Sequence, residues 1–161
     1  MCCVCWTLSS RSWNMPLRNT FTLTDGQNEL CRRLLDRLLA ASPELVAAFV
    51  ATTDGRLMLD RCRREFGGNR VASMASSLLA LSEALGGELN VKPSSHVTVS
   101  SAEAGTIVLL RVGDARNLLT LTTVARQGMN LGALLASSRR AAAELAGICS
   151  EFAIDLSATS G

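Results

Sequence analysis

The sequence predicts an α+β protein arranged as an α/β/α sandwich: a five-stranded antiparallel sheet with two helices on one face and one on the other. Three observations predict it. Helical and strand periodicities follow in the order helix, hairpin, helix, three-strand meander, helix. Thr106 to Val112 is almost wholly apolar, as an inner strand must be. The middle helix, Val71 to Gly87, carries a single charge, Glu83, so it lacks the polar side that a surface helix normally turns to water. Three helices on one face would compete for area, and placing the middle one alone on the opposite face removes the conflict.

Each element has its own signals. Residues 1–24 show no periodicity and read as a flexible arm. Thr24-Asp25 supplies N-cap chemistry for a helix with Leu30, Leu34, Leu35, Leu38 and Leu39 on its buried side and Arg32, Arg33, Asp36 and Arg37 outside. Ser42-Pro43 ends it. Leu45 to Thr53 is rich in Val, Ala, Phe and Thr and reads as a strand. Asp54-Gly55 turns the chain, and Arg56 to Arg61 returns it. A charged loop, Arg61 to Asn69, leads into the middle helix, which Gly86-Gly87 closes.

The meander follows. From Val91 to Ser101 the chain reads as a strand, with Val97 and Val99 facing one way and His96, Thr98 and Ser100 the other. Pro93 places it at a sheet edge. Thr106 to Val112 and Leu118 to Val124 are the next two strands. The last helix starts between Gly128 and Leu131. It buries Leu131, Leu134, Leu135, Ala142, Leu145 and Ile148 and exposes Arg139, Arg140 and Glu144. The folded unit therefore covers residues 25–151, and residues 152–161 form a tail.

Composition excludes several functions. The chain has 161 residues, 48% of them apolar, enough for one domain with a proper core. The net charge of +2, with 4% aromatics and no Tyr, argues against nucleic acid. The middle helix is interrupted before it reaches the ~20 apolar residues of a membrane span, so no membrane insertion is expected. The six cysteines lack the spacing of a secreted disulfide scaffold, and no signal peptide is visible; a cytoplasmic protein with reduced thiols is expected. Cys2-Cys3-Val4-Cys5 has no second ligand pair to complete a metal site, and the simpler reading starts the protein at Met15-Pro16. Cys31 and Cys149 fall near helical core faces and read as small hydrophobes.

Nor is there a recognisable catalytic pattern. The phosphate-binding GxxxxGK[ST] loop is missing, so the chain is not itself expected to be a nucleotide hydrolase of that type. His96, the sole histidine, sits in the expected edge strand as a solvated or interfacial residue. No metal or cofactor is expected, and no enzymatic activity.

The middle helix carries the functional signal. Val71, Met74, Ala75, Leu78, Leu81 and Leu85 form a stripe, with Ala72, Leu79 and Ala80 beside or beyond it, and small serines fill most other positions. A helix apolar on so much of its circumference needs cover from its own sheet and from a second protein surface.

The element order, the segment Val50-Ala51-Thr52-Thr53-Asp54-Gly55-Arg56-Leu57 and the nearly chargeless middle helix together resemble the roadblock/dynein light-chain family, over about residues 26 to 149. The likeness is to its bacterial members, encoded beside small Ras-like GTPases. It implies a profilin-like fold with sheet order 2-1-5-4-3. It also implies a dimer in which third strands meet edge to edge and middle helices pack antiparallel as a platform for a GTPase. Here the platform would comprise Val71, Met74, Ser77, Leu78, Leu81 and Leu85, and the dimer edge His96, Val97, Thr98 and Val99. Arg61, Arg63, Arg64 and Arg70 are candidates to touch the GTPase, one of them as an arginine finger; the plainer reading is a solvated loop. The expected function is a homodimeric, non-enzymatic regulator of a Ras-like small GTPase. Two alternatives are a scaffold subunit that does not sense nucleotide and a small-ligand sensor of profilin-like shape.

Overall fold

Thr24 opens the first helix with a capping box: its hydroxyl accepts from the Gln27 backbone N–H, and the Gln27 side chain accepts from the Thr24 backbone N–H. The computed structural model describes residues 22–91, 96–103, 105–113 and 119–150. Its elements are α1 (Asp25–Ala40), β1 (Leu45–Thr52), β2 (Leu57–Cys62), α2 (Gly68–Glu88), β3 (His96–Ser101), β4 (Gly105–Val112), β5 (Leu119–Ala125) and α3 (Leu131–Ser150). The five strands form one antiparallel sheet in the order β2-β1-β5-β4-β3. The expected arm and tail fall outside the described residues, apart from 22–24.

The larger core lies between the sheet and the pair α1/α3. Leu34, Leu35 and Leu38 of α1 and Leu134 and Leu145 of α3 pack with Ala48, Val50, Leu59, Val108, Leu110 and Leu121 of the strands. The two helices are also tied directly: Gln27 Nε2 donates to the Ile148 carbonyl at 3.2 Å, and Arg37 Nη2 reaches Glu144 Oε2 at 2.9 Å. On the other face α2 packs alone, with Ala75 and Leu79 against Leu109, flanked by Leu78 and Val97.

The β1–β2 hairpin closes through Thr52, whose N–H donates to the Arg56 carbonyl at 2.9 Å, while the Gly55 N–H donates to the Thr52 carbonyl at 2.9 Å. Gly55 takes φ +90, and a Cβ there would lie 3.0 Å from the Ser73 Cα, so this turn needs glycine for its backbone conformation and for the approach of α2. Gly105 has the same role at the start of β4: φ is +108, and a Cβ would sit 2.1 Å from the Ala125 carbonyl oxygen.

Several local expectations are corrected. Leu30 is exposed, because the buried stripe of α1 runs through Gln27, Cys31, Leu34, Leu35, Leu38 and Leu39, and Leu30 sits about 100° from the centre of that stripe. Leu131 is exposed as the first residue of α3, ahead of the stripe Leu134, Ser138, Ala141, Ala142 and Leu145. α2 starts at Gly68 and runs straight through Gly86-Gly87 to Glu88. It ends where Asn90 adopts φ 52, with Val91 N–H donating to the Gly86 carbonyl and Asn90 N–H to the Gly87 carbonyl. This is a Schellman closure in which asparagine takes the left-handed position. β3 begins at His96, and Val91 lies outside it.

Candidate interaction surface

α2 turns its small residues inward. Ala72, Ala75, Ser76 and Leu79 are buried against the sheet, and Ser76 Oγ donates to the Thr52 carbonyl at 3.2 Å. Ser77 Oγ and Ser82 Oγ bond back to the carbonyls of Ser73 and Leu79 in their own helix. Small side chains let the helix axis come close to the strands, and its large side chains then point away. Met74, Leu81 and Leu85 are 65%, 66% and 60% exposed. Val71 and Leu78 are half-buried on the flank, and Ser77 is exposed beside them. Leu89 and Val91 extend the exposed series past the helix end.

Val71, Met74, Leu78, Leu81 and Leu85 are spaced three, four, three and four residues apart. That is the a/d repeat of a helix that packs along its length against a second helix. Glu83 does not interrupt the seam: its Oε1 lies 2.5 Å from Arg111 Nη2 of β4, on the sheet beneath.

β3 is one edge of the sheet and, among the described residues, pairs with β4 alone. Val97 and Val99 pair with Leu109 and Ile107 on the α2 face, as the alternation in sequence predicts. Val99 is 42% and Ile107 36% exposed, so apolar surface continues from the α2 seam onto the open end of the sheet. His96 and Thr98 lie on the opposite face, where His96 Nδ1 is 3.5 Å from Arg139 Nη2 of α3. The Thr98 hydroxyl is buried and lacks a hydrogen-bond partner among the described residues.

The four arginines do not converge. Arg61 Nε bonds Asp36 Oδ1 at 2.7 Å, and its Nη1 donates to the Asp60 carbonyl. Arg63 reaches into the end of α1, its Nη2 donating to the Leu39 carbonyl at 2.6 Å and its Nε to the Leu45 carbonyl at 2.8 Å. Both side chains hold the β2–α2 loop against α1. Arg64 lies over the Phe66 ring at 4.8 Å, and Phe66 meets Phe49 edge to face at 5.9 Å between centroids. Arg70 is exposed in the first turn of α2, without an ion pair among the described residues, where the helix dipole disfavours a cation. The structural use of Arg63 has no signal in the sequence. The exposure of Ile107 had one, in its place opposite Val99. Burial and the nearby Asp60 carboxylate push the Cys62 thiol upward, so it is a poor nucleophile.

Among the described residues no group of His, Cys, Asp and Glu could hold a metal ion, and no helix is long and apolar enough to cross a membrane. The architecture defines a class: a five-stranded sheet of order 2-1-5-4-3, with two helices behind and one bare-flanked helix in front, is the roadblock fold. Similar solved structures include an MglB described with a tetrameric arrangement, at 18% identity and TM-score 0.73, covering 84% of this chain and 98% of the other. They include the gliding protein MglB from Thermus thermophilus, at 16% identity and TM-score 0.72, covering 84% and 99%. They also include a roadblock/LC7 domain from Streptomyces avermitilis, at 16% identity and TM-score 0.62, covering 70% and 92%. No protein-family profile and no curated sequence matches the chain.

Proposed function

We propose that this protein is a cytoplasmic, homodimeric, non-enzymatic regulator that binds a Ras-like small GTPase and shifts its nucleotide state or location. The exposed a/d seam of α2 carries this reading. An apolar ridge of five residues on a surface helix requires a partner helix, and a second copy supplies an identical one. The open β3 edge and the apolar Val99–Ile107 pair beside it support the same pairing, with strands meeting edge to edge. The likeness to MglB structures supports a GTPase as the further partner. Of the basic residues, Arg64 and Arg70 are the ones we assign to GTPase contact, since Arg61 and Arg63 are engaged with α1 and its end.

Regulation works through differential affinity: a platform that binds one switch conformation better than the other moves the equilibrium towards it. The test is a pulldown of a purified Ras-like GTPase, preloaded with GDP or with a non-hydrolysable GTP analogue. Retention of one nucleotide form at least tenfold over the other supports the reading. Equal retention of both forms supports the scaffold alternative. Retention of neither removes the GTPase from the proposal.

A further inference from the structure

We propose that Cys31 of α1 and Cys149 of α3 form a reversible disulfide on exposure to a hydroperoxide, a modification that locks the last turn of α3 onto α1. Neither cysteine is in a disulfide; Cys149 packs against the core cluster that contains Cys31, and the two side chains share a hydrogen bond across the α1/α3 interface. That contact is fixed by its surroundings. One turn before Cys31, Gln27 Nε2 bonds the carbonyl of Ile148, the neighbour of Cys149, at 3.2 Å. Further along, Arg37 and Glu144 close the same interface at 2.9 Å. The two thiols are therefore neighbours across helices tied on both sides, and a disulfide requires their sulfurs to close to ~2.05 Å.

The two cysteines differ in ways that assign their roles. Cys31 is fully buried, whereas Cys149 is partly exposed. A groove of about 700 Å³ lined by Leu30, Arg33, Gly147 and Ile148 opens beside their chain neighbours. Neither cysteine lines that groove; Cys149, the more exposed of the two, is the sulfur we assign to meet the oxidant. Cys149 gives up its proton and its thiolate attacks the terminal oxygen of the peroxide, breaking the O–O bond; Cys149 becomes a sulfenic acid and the displaced oxygen leaves with that proton, as water when the oxidant is hydrogen peroxide. Cys31 then attacks the Cys149 sulfur. The S–S bond forms, and the sulfenic hydroxyl departs as a second water with the Cys31 proton. The two thiols lose two electrons and the peroxide gains them. The hydrogen bond from Cys149 also holds the Cys31 thiol below its ordinary range against the opposing effect of burial, which suits it as the attacking group. Cys62 is the built-in control: its thiol is pushed upward and bonds an acid, Asp60, at 3.9 Å.

The experiment uses the full reduced chain, treated with hydrogen peroxide in slight excess, alkylated, digested with trypsin without reduction and read by mass spectrometry. Cleavage after Arg18, Arg32 and Arg140 places each thiol in its own peptide, residues 19–32 and 141–161. The expected product is these two peptides joined, two hydrogens lighter than their sum, in monomeric chain, returning to free thiols on reduction. Cys62 remains alkylatable. In a Cys149→Ser variant the joined species is lost, and oxidation no longer raises the melting temperature. Over-oxidation of Cys149 to the sulfinic acid with Cys31 left as a thiol would overturn the proposal. So would Cys149 linked only to a second chain. Neither result depends on whether a GTPase binds.

Discussion

Ser76 Oγ donates to the Thr52 carbonyl at 3.2 Å, and both residues are buried between α2 and the sheet. This bond gives a carbonyl at the hairpin end of β1 a second donor beside the Gly55 N–H, and places a serine where a helix would ordinarily present a leucine. With Ala72 and Ala75 beside it, the helix seats on small residues. Its bulky residues are left on the outer flank as a consequence of the seating.

The two sides of α2 must then respond oppositely to substitution. Leu79 is almost fully buried, and Leu79→Ala should cost about 2–5 kcal/mol, read as a lower urea midpoint. Leu81→Glu should leave stability within about 0.5 kcal/mol when measured on monomer, since that side chain is 66% exposed. It should shift the proposed dimer to monomer in analytical ultracentrifugation. A Leu81→Glu chain that stays dimeric would show that the seam is not the contact.

Arg63 and Arg70 offer a second contrast. Arg63 donates to the Leu39 and Leu45 carbonyls, bonds from a charged donor worth about 1.5–3 kcal/mol. Arg63→Ala should lower stability by about that much. Arg70→Ala should leave it within about 0.5 kcal/mol, or raise it slightly by removing a cation from the first turn of a helix. If Arg70 contacts the GTPase, the same variant weakens the pulldown while its melting curve is unchanged.

Most of the fold is legible in the sequence because its signals are periodic and local. Val97 and Val99 alternate against His96 and Thr98, and the faces follow. The near-chargeless character of α2 is the reason to expect a partner, and it does not tell which side of the helix would meet one. Spacing assigns Val71, Met74, Ala75, Leu78, Leu81 and Leu85 to one stripe; Ala75 instead faces the sheet, and which way the others point depends on how closely the sheet admits the helix. The clue was the small set Ala72, Ala75, Ser76, whose meaning needs the Thr52 carbonyl opposite. Arg63 was illegible for a related reason: its acceptors, Leu39 and Leu45, are backbone carbonyls that any sequence provides. Gly86-Gly87 misled because glycine permits a helix stop without requiring one, and Asn90 took the left-handed position instead.

Thr98 supplies a third test. Its hydroxyl is buried and lacks a partner among the described residues, on the face of β3 turned away from the α2 seam. Burying such a group costs about 1–3 kcal/mol, and valine has nearly the same shape without it. Thr98→Val should therefore raise the urea midpoint, by an amount equivalent to about 1 kcal/mol or more. The proposed dimer should be unchanged in ultracentrifugation, since the substituted group points to the α3 side. A drop in stability would mean that the hydroxyl finds an acceptor in solution.

Acid should weaken the α1–β1 corner through Glu44. The Ser42 hydroxyl donates to Glu44 Oε2 at 2.6 Å, and this bond, aided by the Glu44 backbone N–H and the nearby Arg126 charge, holds the carboxyl below its ordinary range. A group whose folded value is depressed binds its proton less readily in the native state than in the unfolded one. Its contribution is complete above the unfolded carboxylate range and is lost as pH falls through that range to the folded value. Glu44→Gln should thus differ from the parent in urea midpoint near pH 7, and the difference should shrink as the solution is taken to about pH 3. Ser42→Ala should remove most of the same pH dependence, because it deletes the largest cause of the shift. Added salt should leave the Ser42 part intact and reduce the Arg126 part, since a hydrogen bond persists where a through-solvent attraction is screened.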